Sequence, residues 1–258
     1  MRRFEDKVVI VTGAAAGIGA AAAARFVEEG ARVVLAGRTE GSLKERADAL
    51  GAGDRASIRV ADVSKPDDIA GLIDFTVGEY GAIDVLVNNA GSGMLGRVTT
   101  VDPAVWHHVI ATDLDSIFYA CRFAIPHLVK TGGSVINIAS VCGVAGDYGF
   151  HAYNAAKAGV INLTRSIALD HARDGIRVNA VSPGLIVTPA TSQSSPEALA
   201  KWHAAIPMRR PGQVEEVSGL IAFLASADAS YITGQNFIVD GGMLAHTGQV
   251  NLLETYGM

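Results

Sequence analysis

KVVIVTGAAAGIG, residues 7–19, is a β-branched run that ends in a glycine-rich turn and passes into the alanine-rich AAAAARFVEEG at 20–30. An apolar run without polar alternation is the pattern of a strand buried on both faces. Alanines are strong helix formers. A strand that turns through glycines into a helix lets backbone approach a pyrophosphate, and the helix N-terminus offers free N–H groups and the positive end of its dipole. The spacing of Gly13, Gly17 and Gly19 is wider than G-x-G-x-x-G, but the physics is the same. This loop makes Gly13, Ala16, Gly17, Ile18 and Gly19 candidate cofactor contacts.

Outward from this unit the same alternation repeats. Apolar runs at 7–12, 31–36, 57–62, 83–89, 133–140, 176–182 and 236–241 predict strands. Helical patterns lie between them near 17–29, 40–50, 66–79, 103–129, 152–173 and 213–225. Strand–helix–strand alternation predicts an α/β fold: a single Rossmann-type domain over 1–258, with a doubly wound parallel sheet of about seven strands and helices on both faces. The one long irregular stretch, 183–212, contains TPATSQSSPE and PMRRPG. Loops of that length are often lids over sites, so 185–212 is the expected substrate lid.

Nearly half of the 258 residues are hydrophobic and 18% are charged, which supports a sizeable core and argues against disorder. A net charge of −5 argues against a nucleic-acid or anionic-membrane partner. The two cysteines, Cys121 and Cys142, suit a reducing compartment and predict a cytoplasmic location. Glu5, Asp6 and Lys7 interrupt any signal-peptide pattern, and no apolar run is long enough for a membrane span. No histidine, cysteine or carboxylate spacing reads as a metal site.

The second strand ends LAGRTE, 35–40. Dinucleotide folds often place an acidic residue there to bond the ribose hydroxyls. Here Gly37 holds that place and Arg38 follows. A guanidinium binds a 2′-phosphate that a carboxylate would repel, so NADP(H) is expected over NAD(H). Asp62, followed by Val63, is placed to accept from an adenine amino group or to cap the turn before Ser64. NNAG, 88–91, ends the fourth strand at the sheet edge where ligands bind.

HAYNAAKAG, 151–159, sets Tyr153 four residues before Lys157, on one face of a helix. Ser140 ends the fifth strand thirteen residues before Tyr153. Reducing a ketone by hydride transfer needs the carbonyl polarised and a proton delivered. Ser140 can donate to the oxygen, and Tyr153 can give or take the proton. A free phenol has a pKa of about 10, and a neighbouring ammonium favours phenolate, which is the service expected of Lys157.

Together TGAAAGIG (12–19), NNAG (88–91), Ser140, YNAAK (153–157), SPG (182–184) with Thr188, and ITGQNFIVDGG (232–242) make the sequence resemble the short-chain dehydrogenase/reductase family over nearly its whole length. The resemblance implies a nicotinamide cofactor and a Ser140–Tyr153–Lys157 centre. It implies cofactor contacts from Asn88 and Asn89, from Ala90 and Gly91, from Tyr153 and Lys157, and from Pro183, Gly184, Ile186 and Thr188. It also implies a dimer or tetramer built on the Tyr153 helix. One position departs from the family. Where it often has asparagine, VIATDLDSIF (109–118) has Asp113, the remaining candidate for the catalytic set. If the backbone carbonyl acts there, aspartate changes little. If the side chain acts, it becomes an ion-pair partner for Lys157 and opposes phenolate formation.

The expected activity is that of an NADP(H)-dependent carbonyl reductase or secondary-alcohol dehydrogenase acting on a small hydrophobic or cyclic substrate. Ser92, Met94, Val141, Cys142, Tyr148, Phe150 and Leu185 flank the centre, with Asp147 the polar exception, and Trp202, His203 and Met208 lie in the lid stretch. The alternatives are a 3-oxoacyl-carrier-protein reductase using Arg173 toward the carrier, an NAD(H)-dependent alcohol dehydrogenase, and an NADP(H)-sensing binding protein.

Overall fold

The computed structural model describes residues 2–193 and 195–257. Seven parallel strands run β1 (Val8–Thr12), β2 (Arg32–Gly37), β3 (Ala56–Val60), β4 (Val85–Asn88), β5 (Ser134–Ile138), β6 (Arg177–Pro183) and β7 (Asn236–Val239). They are ordered β3-β2-β1-β4-β5-β6-β7, so the winding reverses between β1 and β4. Val9 pairs with Val33 on one side and Val85 on the other, which sets both neighbours' carboxyl ends level with Thr12.

Period-two alternation in the strands builds two cores. Val9, Val11, Val33, Leu35 and Val87 face α1 (Gly17–Glu28) and α9 (Val214–Ala225), with Phe26, Ile221 and Leu224 completing that layer. Ile10, Val34, Leu86 and Val135 face the opposite way. There they meet α3 (Pro66–Tyr80), α5 (Ser116–Leu128) and α7 (His151–His171). The sequence expectation of a doubly wound sheet covered on both faces is met. Helix α2 (Glu40–Leu50) buries only Leu43 and ends at Gly51 in the left-handed region.

Two stretches differ from the sequence reading. The continuous helix expected near 103–129 is α4 (Pro103–Ile110), a π-helical turn at Ala111–Asp115, and then α5. The stretch 183–212, read as irregular, contains α8 (Pro196–Ala205), capped by Ser195 Oγ accepting from Ala198 N. Helix α8 buries no residue, so apolar periodicity could not announce it. A short helix α6 (Val141–Val144) follows β5, and α10 (Leu252–Thr255) lies near the C-terminus.

Candidate active site

The carboxyl ends of β1 and β4 open the crevice at the reversal point, where open α/β sheets bind ligands. Gly13 and Gly17 have φ of +65° and +58°, a conformation glycine adopts without strain. A Cβ on Gly13 would lie 2.9 Å from Asn89 Nδ2, and one on Gly19 would lie 2.4 Å from both Asn89 Nδ2 and Gly13 O. Ala16, at the N-cap of α1, offers no side-chain cap, and the first turn carries no carboxylate. The first-turn N–H groups of α1 are therefore left to an incoming anion. Cradle and helix end together fit a dinucleotide pyrophosphate.

Neighbouring segments brace this cradle. Asn89 Nδ2 donates to Thr12 O at 2.9 Å and Gly13 O at 3.3 Å. Thr12 Oγ1 accepts from the N–H groups of Asn89 and Ala90 at 2.9 and 3.1 Å. Sequence reasoning passed over Thr12, although it opens the TGAAAGIG motif. A Cβ on Gly17 would come 3.2 Å from Thr188 Cγ2, so the segment after β6 crosses the start of α1. There Gly184 N donates to Val239 O, and Ile186 O accepts from Thr191 Oγ1.

The side chain of Asn88 corrects one expectation. It is buried, with Nδ2 donating to Asn137 Oδ1 at 2.8 Å, and Asn137 passes the chain on to Thr164 Oγ1 at 2.9 Å. Consecutive strand residues face opposite ways, so this amide enters the core and Asn89 faces the cradle. Asn88 and Asn137 are register partners, and the chain ties β4, β5 and α7 together beneath the crevice. A polar residue inside the apolar SVINI strand was the signal for it.

Just beyond β3, Asp62 Oδ1 accepts from Ser64 Oγ at 2.8 Å and Ser64 N at 3.1 Å, the turn-capping alternative. The Ser64 hydroxyl bond leads in holding the Asp62 carboxyl below its ordinary range, against partial burial. The Ser64 N–H, Lys65 and Arg38 add to it. Arg38 is exposed at the lip of β2. Gly37 has no positive φ, and its Cβ would meet Leu43 at an ordinary 3.4 Å, so backbone and space both accept a side chain there.

Ser140 caps α6, its hydroxyl oxygen accepting from Cys142 N at 3.1 Å. With a lone pair used in this way, the hydroxyl keeps its proton for another acceptor. A Cβ on Gly143 would come 2.5 Å from the carbonyl carbon of Lys157, so α6 lies directly on the backbone of α7. On α7, Lys157 Nζ is 5.4 Å from the centre of the Tyr153 ring. The lysine is buried, and its Nζ donates to Ile138 O, the last carbonyl of β5, at 2.9 Å. Asp113, in the π-helical turn, is fully buried with Oδ2 at 3.3 Å from Lys157 Nζ. Its Oδ1 accepts from Ser92 N at 2.7 Å. Ser92 and Ile138 as partners of this pair were not legible in the sequence, because no motif marks them.

Around this centre Met94 and Leu185 are buried, Phe150 packs edge-on to Tyr153, and Tyr148 is exposed. Burial leads in pushing the Cys142 thiol up, with the Asp147 charge adding to it. Cys121 is fully buried and its thiol is pushed up to about 12. The stretch 185–212 is anchored where Met208 N donates to Gly241 O, while Trp202 and Met208 stay exposed.

The fold and crevice define a dinucleotide-binding oxidoreductase domain. The family model described as Enoyl-(Acyl carrier protein) reductase matches residues 13–244. The meso-2,3-butanediol dehydrogenase of Serratia marcescens is 42% identical over 97% of this chain and 100% of its own length. The 7alpha-hydroxysteroid dehydrogenase of Bacteroides fragilis is 41% identical over 98% of this chain and 100% of its own. The 3-oxoacyl-[acyl-carrier-protein] reductase FabG of Thermotoga maritima is 38% identical over 94% and 99%. The chain belongs to the short-chain dehydrogenase/reductase family. It is an oxidoreductase of CH–OH and C=O groups that uses a nicotinamide nucleotide, NAD(H) or NADP(H), on small molecules. Among the described residues no helix is long and apolar enough to cross a membrane.

Proposed function

We propose that this enzyme interconverts a hydrophobic or cyclic secondary alcohol and its ketone with NADP(H), through Ser140, Tyr153 and Lys157. The carrying observation is the buried Lys157 ammonium 5.4 Å from the Tyr153 ring, beside the strand end that presents Ser140. The nicotinamide, when bound, supplies or accepts the hydride. Ser140 donates to the substrate oxygen, where negative charge develops. Tyr153 gives its phenolic proton to the alkoxide in reduction and takes it back in oxidation. Lys157 holds positive charge beside that phenol and keeps an N–H for the ribose. The buried Met94 and Leu185 with Phe150 support an apolar substrate.

The cradle residues Gly13, Ala16, Gly17, Ile18 and Gly19 take the pyrophosphate. Asp62 and Val63 lie toward the adenine. Asn89, Ala90, Gly91, Pro183, Gly184, Ile186 and Thr188 line the nicotinamide half. Arg38 takes the 2′-phosphate, supported by its exposure at the lip of β2 and by the missing carboxylate at Gly37. Residues 185–212 close over the substrate. The exposed Phe118 on α5 and Leu169 on α7, with Ile238 on the edge strand, support a dimer or tetramer. The unpaired cysteines support a cytoplasmic setting.

The acyl-carrier reading has its own support in the FabG relative and in the exposed Arg173 just beyond α7. One experiment separates the readings: coenzyme consumption with NADPH and NADH side by side, against cyclic and acyclic ketones, aldehydes and an oxoacyl thioester. NADPH-preferring turnover of ketones is expected. A thioester preference favours the carrier reading, an NADH preference removes the role of Arg38, and tight coenzyme binding without turnover makes the chain a sensor.

A further inference from the structure

Asp113 stands where a neutral amide is usual in the family, and the fold gives its carboxylate two partners at once. One oxygen accepts from Ser92 N at 2.7 Å, with Ser92 Oγ at 3.4 Å. The other faces Lys157 Nζ at 3.3 Å and takes no hydrogen bond from any described residue. That second contact is an ion pair without hydrogen-bond alignment. Both side chains are almost fully buried, at 0% and 3% exposure. A carboxylate in that setting is retained only beside an opposite charge.

The π-helical turn Ala111–Asp115 carries Asp113 to this contact. A π-helical turn re-aims side chains inside an otherwise regular helix. Its neighbour Leu114 fills the space over Gly159, where a Cβ would come 2.9 Å from Leu114 Cδ2, so the turn rests on α7. A Cβ on Gly91 would lie 3.0 Å from Asp113 Oδ2 and 3.4 Å from Lys157 Nζ, so only bare backbone separates the pair from the crevice.

We infer that Asp113 is a charged positioning residue: its carboxylate pairs with the Lys157 ammonium, fixes it between the last carbonyl of β5 and the Tyr153 ring, and sets a negative charge against that ammonium's effect on the phenol. The inference rests on the Tyr153–Lys157 reading above. The charged and titratable neighbours from each packed element are few. Helix α7 contributes Tyr153, Lys157 and His151, and the π-helical turn contributes Asp113 and the exposed Asp115. Helix α4 contributes the exposed His107 and His108, and α6 with the loop after it contributes Cys142 and Asp147. Asp113 is the buried carboxylate among them; the other buried carboxylates of the described residues, Glu29 and Asp84, lie near the amino-terminal ends of β1 and β4, away from the crevice.

The test is the pH profile of kcat/KM for alcohol oxidation, which needs the phenolate. Asp113→Asn keeps the shape and removes the charge. Its acid limb is expected to move to lower pH, and the alkaline limb, where the ammonium is lost, to move the same way. Asp113→Ser removes the same charge with a different shape, so its profile is expected to move in the same direction. Lowered rates with an unmoved profile in either folded variant would overturn the inference and leave Asp113 a packing residue. Loss of folding in both, read by thermal melting, would overturn it equally. Tyr153→Phe, assayed alongside, isolates the underlying reading: turnover that survives there fails the Tyr153 mechanism, whatever Asp113 does.

Discussion

The Lys157 ammonium lies 5.4 Å from the centre of the Tyr153 ring, one turn along α7, and is fixed from the other side by the last carbonyl of β5 at 2.9 Å. Charge and phenol are thereby held together by the helix, and the ammonium is tied directly to the end of β5. Tyr153→Phe is expected to lower kcat about 10²–10⁴-fold, the range for a lost general acid. The dissociation constant for NADPH should stay within about twofold, since the ring and the lysine remain. Steady-state turnover and coenzyme fluorescence check both.

The proposed NADP(H) preference rests on Arg38 and the bare Gly37. Gly37→Asp fits the observed backbone and space, and a new carboxylate there would accept ribose hydroxyls and repel a 2′-phosphate. Combined with Arg38→Asp, it is expected to reverse the NADPH/NADH ratio of kcat/KM. An unchanged ratio would refute the role of Arg38.

Gly143 is the contact through which α6 and α7 approach. Gly143→Ala pushes a methyl into the Lys157 carbonyl, whose carbon would be 2.5 Å away. Overpacking of backbone costs about 1–3 kcal/mol. The variant should melt lower and lose kcat more than coenzyme affinity, because α7 carries Tyr153. A wild-type kcat would show that the two helices separate without consequence.

Glu29 anchors the N-terminal segment to the end of α1. Its carboxylate takes two bonds from Arg3, at 2.6 and 2.7 Å, and one from Arg25. Arg3 leads in holding the Glu29 carboxyl below its ordinary range, against burial, with Arg25 adding to it. A depressed carboxyl stabilises the fold fully above its unfolded value of about 4.3, and that contribution is lost as pH falls through the folded value. Glu29→Gln should therefore cost about 1–3 kcal/mol at pH 7, and the gap should close on acidification below about pH 4. Urea unfolding at the two pH values reads this out. A constant gap would assign the effect to packing.

The seven strands, their parallel winding and the glycine cradle follow from local pattern alone. Strands buried on both faces, such as β1 and the interior of β2, are apolar, and the turn at Gly13 and Gly17 needs positive φ. Tyr153 and Lys157 were legible for the same reason, because four residues on a helix is a local distance. Tertiary structure alone decided that the Asn88 amide turns into the core while Asn89 braces the cradle, and that 111–115 forms a π-helical turn. It also placed the surface-riding helix at Pro196–Ala205 and the Asp113 carboxylate against Lys157. Each of these depends on which distant segment packs alongside. A sequence writes its periodicities and its dihedral demands between neighbours, whereas the partner of a buried amide or carboxylate is chosen only when the layers close.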